Sequence, residues 1–178
     1  IARGVAKTLG FEFMLNFNRP FFAKNPVEFW EKWHISLSTW FKDYLYFPLA
    51  LHYMRQSTGF FSKFKAHFIS MGLIGFWHGA NYTFIVFGLF WAMCIIIYNN
   101  VRKYTKKIPD ALAMLLHNLL IVMPAFFVFR IEKITDMKYW LSSFGNSKTF
   151  FSAHGSLTEV FVANRSEAIC VFLISLLL

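Results

Sequence analysis

The most constraining feature of the sequence is the stretch 66–101, which holds 36 residues without a single Asp, Glu, Lys or Arg. A helix crosses the hydrocarbon of a bilayer with about 20 residues, at about 1.5 Å each, so one straight crossing cannot use the whole stretch. Four glycines are spread through it, and Gly79-Ala80-Asn81 is the point where a helix would kink most readily. We expect the stretch to break near His78 and Asn81, and either to dip into the membrane and return or to cross it as two short helices.

His78 lies in the middle of this charge-free stretch. Hydrocarbon offers no water to a polar side chain, so an ionisable group at membrane depth usually faces a protein interior or a wet cavity. We therefore expect the imidazole to point into a gap between helices, and His78 is the first candidate for a functional residue.

The composition agrees with a membrane protein, since 57% of the residues are apolar, 21% are aromatic and only 15% are charged. The net charge of +9 does not indicate nucleic acid, because the basic residues border apolar runs, as at 102–107, in the pattern of cytoplasmic loops. We expect an all-α, polytopic membrane protein with no nucleic-acid partner. The sequence starts at Ile1 and ends within an apolar run at Leu178, so we interpret 1–178 as one piece of a single membrane domain, truncated at both ends.

Helix boundaries can be predicted at several places. Asn25 is a cap, Pro26 suits the first helical position, and Glu28 can reach back to the Asn25 amide. The amphipathic helix that follows has an aromatic face at steps of three and four residues, formed by Trp30, Trp33, Leu37, Trp40, Phe41 and Tyr44.

Beyond this helix, Pro48 is expected to end the segment, and 52–65 to form a basic loop with a turn at 57–59. The stretch 111–129 is charge-free and just long enough to span a membrane. We further expect a short helix from Thr135 to Gly145, a polar loop over 146–165 and an incomplete span after it.

Other polar residues admit a functional and a structural interpretation. His34 falls on the aromatic face of its predicted helix, where it is either a catalytic group or a hydrogen-bonded structural residue. Asp43 and Tyr44 are placed to orient a substrate, or else belong to an interfacial aromatic belt. No HExxH or paired CxxC motif occurs, so we expect no metal site.

Two motifs carry a resemblance to a known family. The segment Phe29-Trp-Glu-Lys-Trp-His-Ile-Ser-Leu-Ser-Thr-Trp-Phe-Lys-Asp-Tyr-Leu-Tyr46 is followed by Gly75-Phe-Trp-His-Gly-Ala-Asn-Tyr-Thr-Phe84. In this order and at this separation they resemble the signature of the membrane-bound O-acyltransferase family. The continuation of Trp-His-Gly as Ala-Asn-Tyr-Thr is more similar to the branch that contains the alginate O-acetylation membrane protein than to the teichoic-acid D-alanylation branch. Asn16-Phe-Asn-Arg-Pro20 and the pair Phe129-Arg130 with Glu132 fit the same branch.

The resemblance implies roles for particular residues. His78 corresponds to the family's intramembrane catalytic histidine, and His34 to its second motif histidine. The fold implied is a helical bundle with a central tunnel, of which this chain forms a part. Candidate substrate-binding or tunnel-lining residues from the two motifs are Trp77, Asn81, Trp30, Ser38, Asp43 and Tyr44.

The function implied is transfer of an acyl group, most simply acetyl, from a cytoplasmic thioester to an extracellular or cell-wall polysaccharide. The donor is acetyl-CoA or an acyl carrier, used as a substrate, and no tightly bound cofactor is expected. The expected partners are membrane lipid, the polysaccharide acceptor and a periplasmic or extracellular acyltransferase, in a multi-pass protein of the bacterial inner membrane. Two alternatives stay open: D-alanyl transfer to teichoic acid, and a transporter or channel without transferase chemistry.

Overall fold

The structure, a computed structural model, describes residues 2–56, 60–105, 107–131 and 135–137. Every regular element in these ranges is helical, which confirms the expected all-α fold. The predicted loop over 146–165 and the span after it lie outside the described residues, as does most of the helix predicted from Thr135 to Gly145. The α-helices are α1 (Ala2–Thr8), α2 (Pro26–Lys32), α3 (Ile35–Phe41), α4 (Phe47–Gln56), α5 (Phe60–Trp77), α6 (Tyr82–Thr105), α7 (Asp110–His117) and α8 (Met123–Arg130).

The charge-free stretch forms a helical hairpin, and the predicted break at His78 to Asn81 is confirmed. Helix α5 ends at Trp77, and the amide of His78 donates to the Gly75 carbonyl at 3.1 Å. Gly79 then adopts a φ of 155°, which L side chains rarely adopt. Asn81 opens α6, because its side-chain oxygen accepts from the Thr83 amide at 3.2 Å.

The two arms of the hairpin approach each other at glycines. A Cβ atom built on Gly75 would collide with the carbonyl oxygen of Phe84, and one on Gly88 would collide with that of Met71. Small residues of this kind let helix backbones approach closely where lipid supplies no hydrophobic driving force. The paired positions run in opposite directions along the two helices, so α5 and α6 are antiparallel.

In the part of the chain that the structure describes, two helical segments are long and apolar enough to cross a membrane: α6 with 24 residues and the continuous helix Asp110–Arg130 with 21. The second agrees with the predicted span over 111–129. Helix α2 is fixed against α6 by Phe29, whose ring stacks on Trp91 at 4.7 Å and on Trp33 at 5.5 Å. This aromatic stack lies in the core of the described part of the chain.

The start of α2 is as predicted from the sequence, except for the amide that the Glu28 side chain contacts. The Asn25 side chain accepts from the amides of Val27 and Glu28, and Pro26 occupies the first turn. The Glu28 carboxylate accepts from the Lys24 amide at 2.9 Å, one residue before the amide that was expected. Partial burial opposes ionisation of Glu28, but the hydrogen bonds from Lys32 and from the Lys24 amide prevail, and the pKa of this carboxyl is lowered.

The single amphipathic helix predicted beyond Asn25 is wrong, because the chain breaks at Trp33 and His34. Trp33 is extended, with φ −104° and ψ 125°, and His34 is left-handed, with φ 45° and ψ 55°. The hydrophobic steps of three and four residues continue across the break, which is why the sequence pattern did not reveal it.

The expectation that Pro48 ends a helix is also wrong, and so is the expected loop over 52–65 wherever the structure describes that range; the predicted turn at 57–59 lies outside the described residues. The chain stays helical through a π-turn at Lys42–Tyr46 and continues in α4, while α5 begins at Phe60. A second π-turn, Asn118–Val122, ends two residues before Pro124, just as the first ends two residues before Pro48. Proline lacks an amide proton and clashes with the carbonyl four residues before it, and a wider turn just upstream relieves both problems.

The close approach of α5 and α6 predicts that alanine substitutions at two neighbouring glycines have opposite effects on stability. Gly75→Ala should lower the free energy of unfolding by about 1–3 kcal/mol, as overpacking typically does. Gly72→Ala should be neutral or stabilising, because its new methyl group would meet only the Leu89 side chain, at 3.5 Å. Thermal melting of both variants in detergent checks this, and equal melting temperatures would show that the helices do not pack as described.

Candidate active site

His78 occupies the turn between α5 and α6, surrounded by aromatic rings. Its ring centroid lies 5.0 Å from Trp77 and 5.0 Å from Phe129, both in edge-on arrangements. Phe84 and Phe87 complete the shell at 6.2 and 6.1 Å. The side chain is half-buried, and no hydrogen bond joins its ring to another of the described residues. Within the described part of the chain, both ring nitrogens are therefore free of hydrogen bonds.

His34 is held in an uncommon backbone conformation at the start of α3. A left-handed conformation costs an L residue with a Cβ atom about 1–2 kcal/mol, so the surroundings must impose it. Asn16 supplies the restraint: its carbonyl accepts from the Ile35 amide and its side-chain oxygen from the Ser36 amide, both at 2.9 Å. These two amides are among the free donors at the start of a helix, so a distant segment caps α3 and fixes His34.

Trp77 brings the two histidines together. The indole lies 6.0 Å from the His34 ring, at an interplanar angle of 89°, and 5.0 Å from the His78 ring. Phe17 approaches His34 from another direction at 5.9 Å. The structure thus places three of the sequence-predicted site residues, His34, Trp77 and His78, in one cluster, although they come from two separate motifs. Trp77 is 55% exposed, so the cluster is open on one side.

Two other predicted residues line a separate cavity. Trp30 and Ser38 border a space of about 270 Å³ between α2, α3, α5 and α6, together with Tyr46 and His67. Ser38 donates to the Trp33 carbonyl at 2.9 Å, whereas the indole nitrogen of Trp30 is buried and has no hydrogen-bond partner among the residues that the structure describes. Neither His34 nor His78 is among the residues that line this cavity, so it does not expose the two rings to a common space.

The last three predicted site residues are Asn81, Asp43 and Tyr44. Asn81 caps α6 directly after the histidine turn. Asp43 and Tyr44 lie in the π-turn after α3 and are exposed, Tyr44 to 70%, and the Tyr44 ring packs on Trp40 at 5.5 Å. Neither borders the cavity. Their part in substrate binding stays a prediction.

The structure adds residues that sequence reasoning had not assigned to the site. Phe129, from α8, packs directly on His78, and Asn16 fixes His34. Both belong to the segments that the resemblance singled out, Asn16 to Pro20 and Phe129-Arg130 with Glu132, and that was the only signal. Their roles depend on contacts between residues far apart in the chain, which no local pattern contains.

Comparison with known proteins identifies the family to which these motifs correspond. The model of the membrane-bound O-acyltransferase family matches residues 2–141. A probable alginate O-acetylase of Pseudomonas aeruginosa is 45% identical over 97 residues, which cover 54% of this chain and 18% of the relative. Its counterpart in Pseudomonas syringae pv. tomato is 34% identical over 166 residues, 92% of this chain and 31% of the relative.

A second group of relatives acts on another polymer. The teichoic acid D-alanyltransferase of Bacillus subtilis is 34% identical over 110 residues, covering 60% of this chain and 28% of that protein. In all three comparisons the chain spans less than a third of the relative's length.

The left-handed conformation of His34 makes a specific stability prediction. His34→Gly and His34→Ala remove the same ring, but only glycine adopts φ 45° without a steric cost, so the glycine variant should be the more stable by about 1 kcal/mol. At Ser38, inside α3, the order should reverse, because glycine is about 1 kcal/mol less favourable than alanine in a helix. Thermal melting of the four variants measures both orders. Alanine more stable than glycine at position 34 would contradict the described backbone.

Proposed function

Since the chain belongs to the membrane-bound O-acyltransferase family, we propose that it forms the catalytic part of an enzyme that moves an acyl group from a thioester to a hydroxyl across a bacterial inner membrane. One observation carries the proposal: His34 and His78 contact the same indole at the break between α5 and α6. A pair of imidazoles beside a helix break inside an apolar stretch offers proton-transfer groups where polar side chains are otherwise costly.

His78 acts as the general base in this proposal. The neutral imidazole takes the proton of the acceptor hydroxyl while the hydroxyl oxygen attacks the thioester carbonyl carbon. The tetrahedral intermediate then collapses, the carbon–sulfur bond breaks, and the departing thiolate takes the proton back from the imidazolium. A histidine suits both transfers because its ordinary pKa lies near ambient pH.

His34 has the complementary role. Its ring donates a hydrogen bond to the thioester carbonyl oxygen, where negative charge develops in the tetrahedral intermediate. The two restraints already described, Asn16 on the backbone and Trp77 on the ring, keep this donor in place before the substrate arrives. Such preorganisation matters because a donor that must reorient during the reaction stabilises the transition state less.

Acetyl is the group we propose for transfer, with an extracellular or cell-wall polysaccharide as the final acceptor. This is supported by the relatives named as alginate O-acetylases and by the Ala80-Asn81-Tyr82-Thr83 continuation of the second motif. The donor is acetyl-CoA or an acetylated acyl carrier on the cytoplasmic side. A periplasmic or extracellular acyltransferase would pass the group on to the polymer. The Bacillus subtilis relative makes D-alanyl transfer to teichoic acid the second candidate.

Removing the base should abolish transfer. His78→Gln and His78→Ala in the full-length protein, reconstituted in vesicles, should lower the rate of acetyl transfer by about 10²- to 10⁴-fold, the usual contribution of a general base. The rate is measured as thiol released from acetyl-CoA, and from an acetylated acyl carrier in a parallel series. His52→Gln is the matched control, since His52 is exposed on α4 and its ring contacts only Tyr53 and Gln56 among the described residues.

Protein recovered after extraction and its melting temperature must be measured for each variant. His78 variants that keep more than a tenth of the parental rate would overturn its assignment as the base, and so would variants whose loss follows entirely from poor accumulation. Passage of a solute through the vesicle membrane without any release of thiol would instead indicate a transporter.

A further inference from the structure

A second cavity lies on another side of the molecule, away from the histidine cluster. It is an open groove of about 520 Å³ between the second half of α6 and helix α7, closed at one end by the segment that precedes α2. The groove starts at Cys94, which is 13 residues beyond Asn81 and so about 20 Å further along α6 from the histidine turn. The groove is therefore separate from the cluster around Trp77.

The walls of the groove are apolar and open toward the surroundings of the helices. Ile97 on α6 is 53% exposed, and Leu120, in the π-turn after α7, is 66% exposed. Both belong to segments long and apolar enough to cross a membrane. Apolar walls of this kind suit the acyl chain of a lipid, and further apolar lining comes from Val101, Ile108, Ala113, Leu116 and Ile121.

His117 gives this groove a polar group that nothing in the described protein satisfies. The side chain is only 4% exposed, yet neither ring nitrogen has a hydrogen-bond partner among the described residues. The Ala23 backbone is near the ring, but not in hydrogen-bonding geometry, and Phe29 and Trp91 pack against the ring at 5.9 and 6.4 Å. A buried polar group without a partner is costly, so one that borders an open groove indicates a ligand with a hydrogen-bonding atom.

The end of the groove carries charge. Lys24 and Asp110 form an ion pair at its rim, and both side chains are exposed to solvent. The last turn of α6, which borders the groove at Val101 and Thr105, carries Arg102 and Lys103, and Lys107 directly precedes the lining residue Ile108. Three basic residues are thus sequence neighbours of lining residues at the end of the groove that holds the ion pair, and this distribution matches an anionic headgroup.

We propose that this groove binds an anionic phospholipid. One acyl chain lies along the apolar wall between α6 and α7, His117 donates a hydrogen bond to the ester carbonyl at the glycerol, and the phosphate lies at the basic rim. The spacing is suitable, because Asp110 and His117 are seven residues apart on one helix, or about 10 Å along its axis, so headgroup and ester levels can be reached together. Fluctuating annular lipid would need no buried hydrogen-bond donor.

The test uses the full-length protein in nanodiscs that contain phosphatidylglycerol and phosphatidylcholine, with a photoreactive phosphatidylglycerol whose acyl chain carries a diazirine. Cross-linked peptides identified by mass spectrometry should come from the facing surfaces of α6 and α7. Ala113→Trp, which fills the groove, should reduce this cross-linking at least about fivefold. Leu112→Trp is the matched control, because Leu112 is exposed on the same helix but does not line the groove, and it should leave the cross-linking unchanged.

A second variant keeps the test decisive if the tryptophan disturbs folding. His117→Leu keeps an apolar side chain of similar size and removes both unsatisfied nitrogens, so the protein should fold at least as well while retaining less phosphatidylglycerol after purification. Equal cross-linking in Ala113→Trp and Leu112→Trp, or equal lipid retention in His117→Leu and the parent, would overturn the proposal. Cross-linking by a phosphatidylcholine probe at the same level would also overturn it, since the rim would then not select an anionic headgroup.

Discussion

The close contact between the α5 and α6 backbones at Gly75 and Gly88 is the constraint on which the rest of the structure depends. It fixes the crossing of the hairpin and therefore the position of the turn that carries His78. It also presents Phe84 and Phe87 to the histidine ring from the second arm. A side chain larger than hydrogen at either glycine would separate the helices and widen the aromatic shell around His78.

The second histidine depends on a different kind of restraint. His34 lies between two short helices in a left-handed conformation that is locally unfavourable, and the Asn16 segment stabilises it from a distance through two hydrogen bonds. Phe29, one turn earlier, anchors α2 on Trp91 in α6. Helix α6 thus contacts the His78 ring directly through Phe84 and Phe87, and through Trp91 it anchors α2, the helix that precedes His34. The two motifs, far apart in sequence, are in this way both tied to α6.

The sequence predicts the larger features because simple physical limits determine them. A charge-free stretch of 36 residues is too long for one crossing, and the glycines next to His78 determine where it turns. The helix start at Asn25-Pro26 can also be predicted, because it depends only on residues that are neighbours in the sequence. The break at His34 was not, since apolar residues recur at helical spacing on both sides of it, and its cause is a contact with Asn16, 18 positions earlier. The π-turn before Pro48 was missed because a proline in a sequence predicts a helix end more readily than a widened turn. The π-turn before Pro124 lies inside the predicted span over 111–129, whose charge-free pattern carries no sign of it. For the site, the resemblance indicated both histidines, but their meeting at Trp77 is a tertiary contact between the residue that precedes α3 and the end of α5, which no local pattern contains.

A double-variant cycle tests most directly whether His34 and His78 act in one site on one step. Acetyl-transfer rates of the full-length protein would be measured for His34→Gln, for His78→Gln and for both substitutions together. If the two rings serve the same transition state, the double variant should be no more than about threefold slower than the slower single variant, because residues that act as a unit are strongly non-additive. Two losses that multiply in the double variant would show that the histidines work independently, and would contradict a shared site at Trp77.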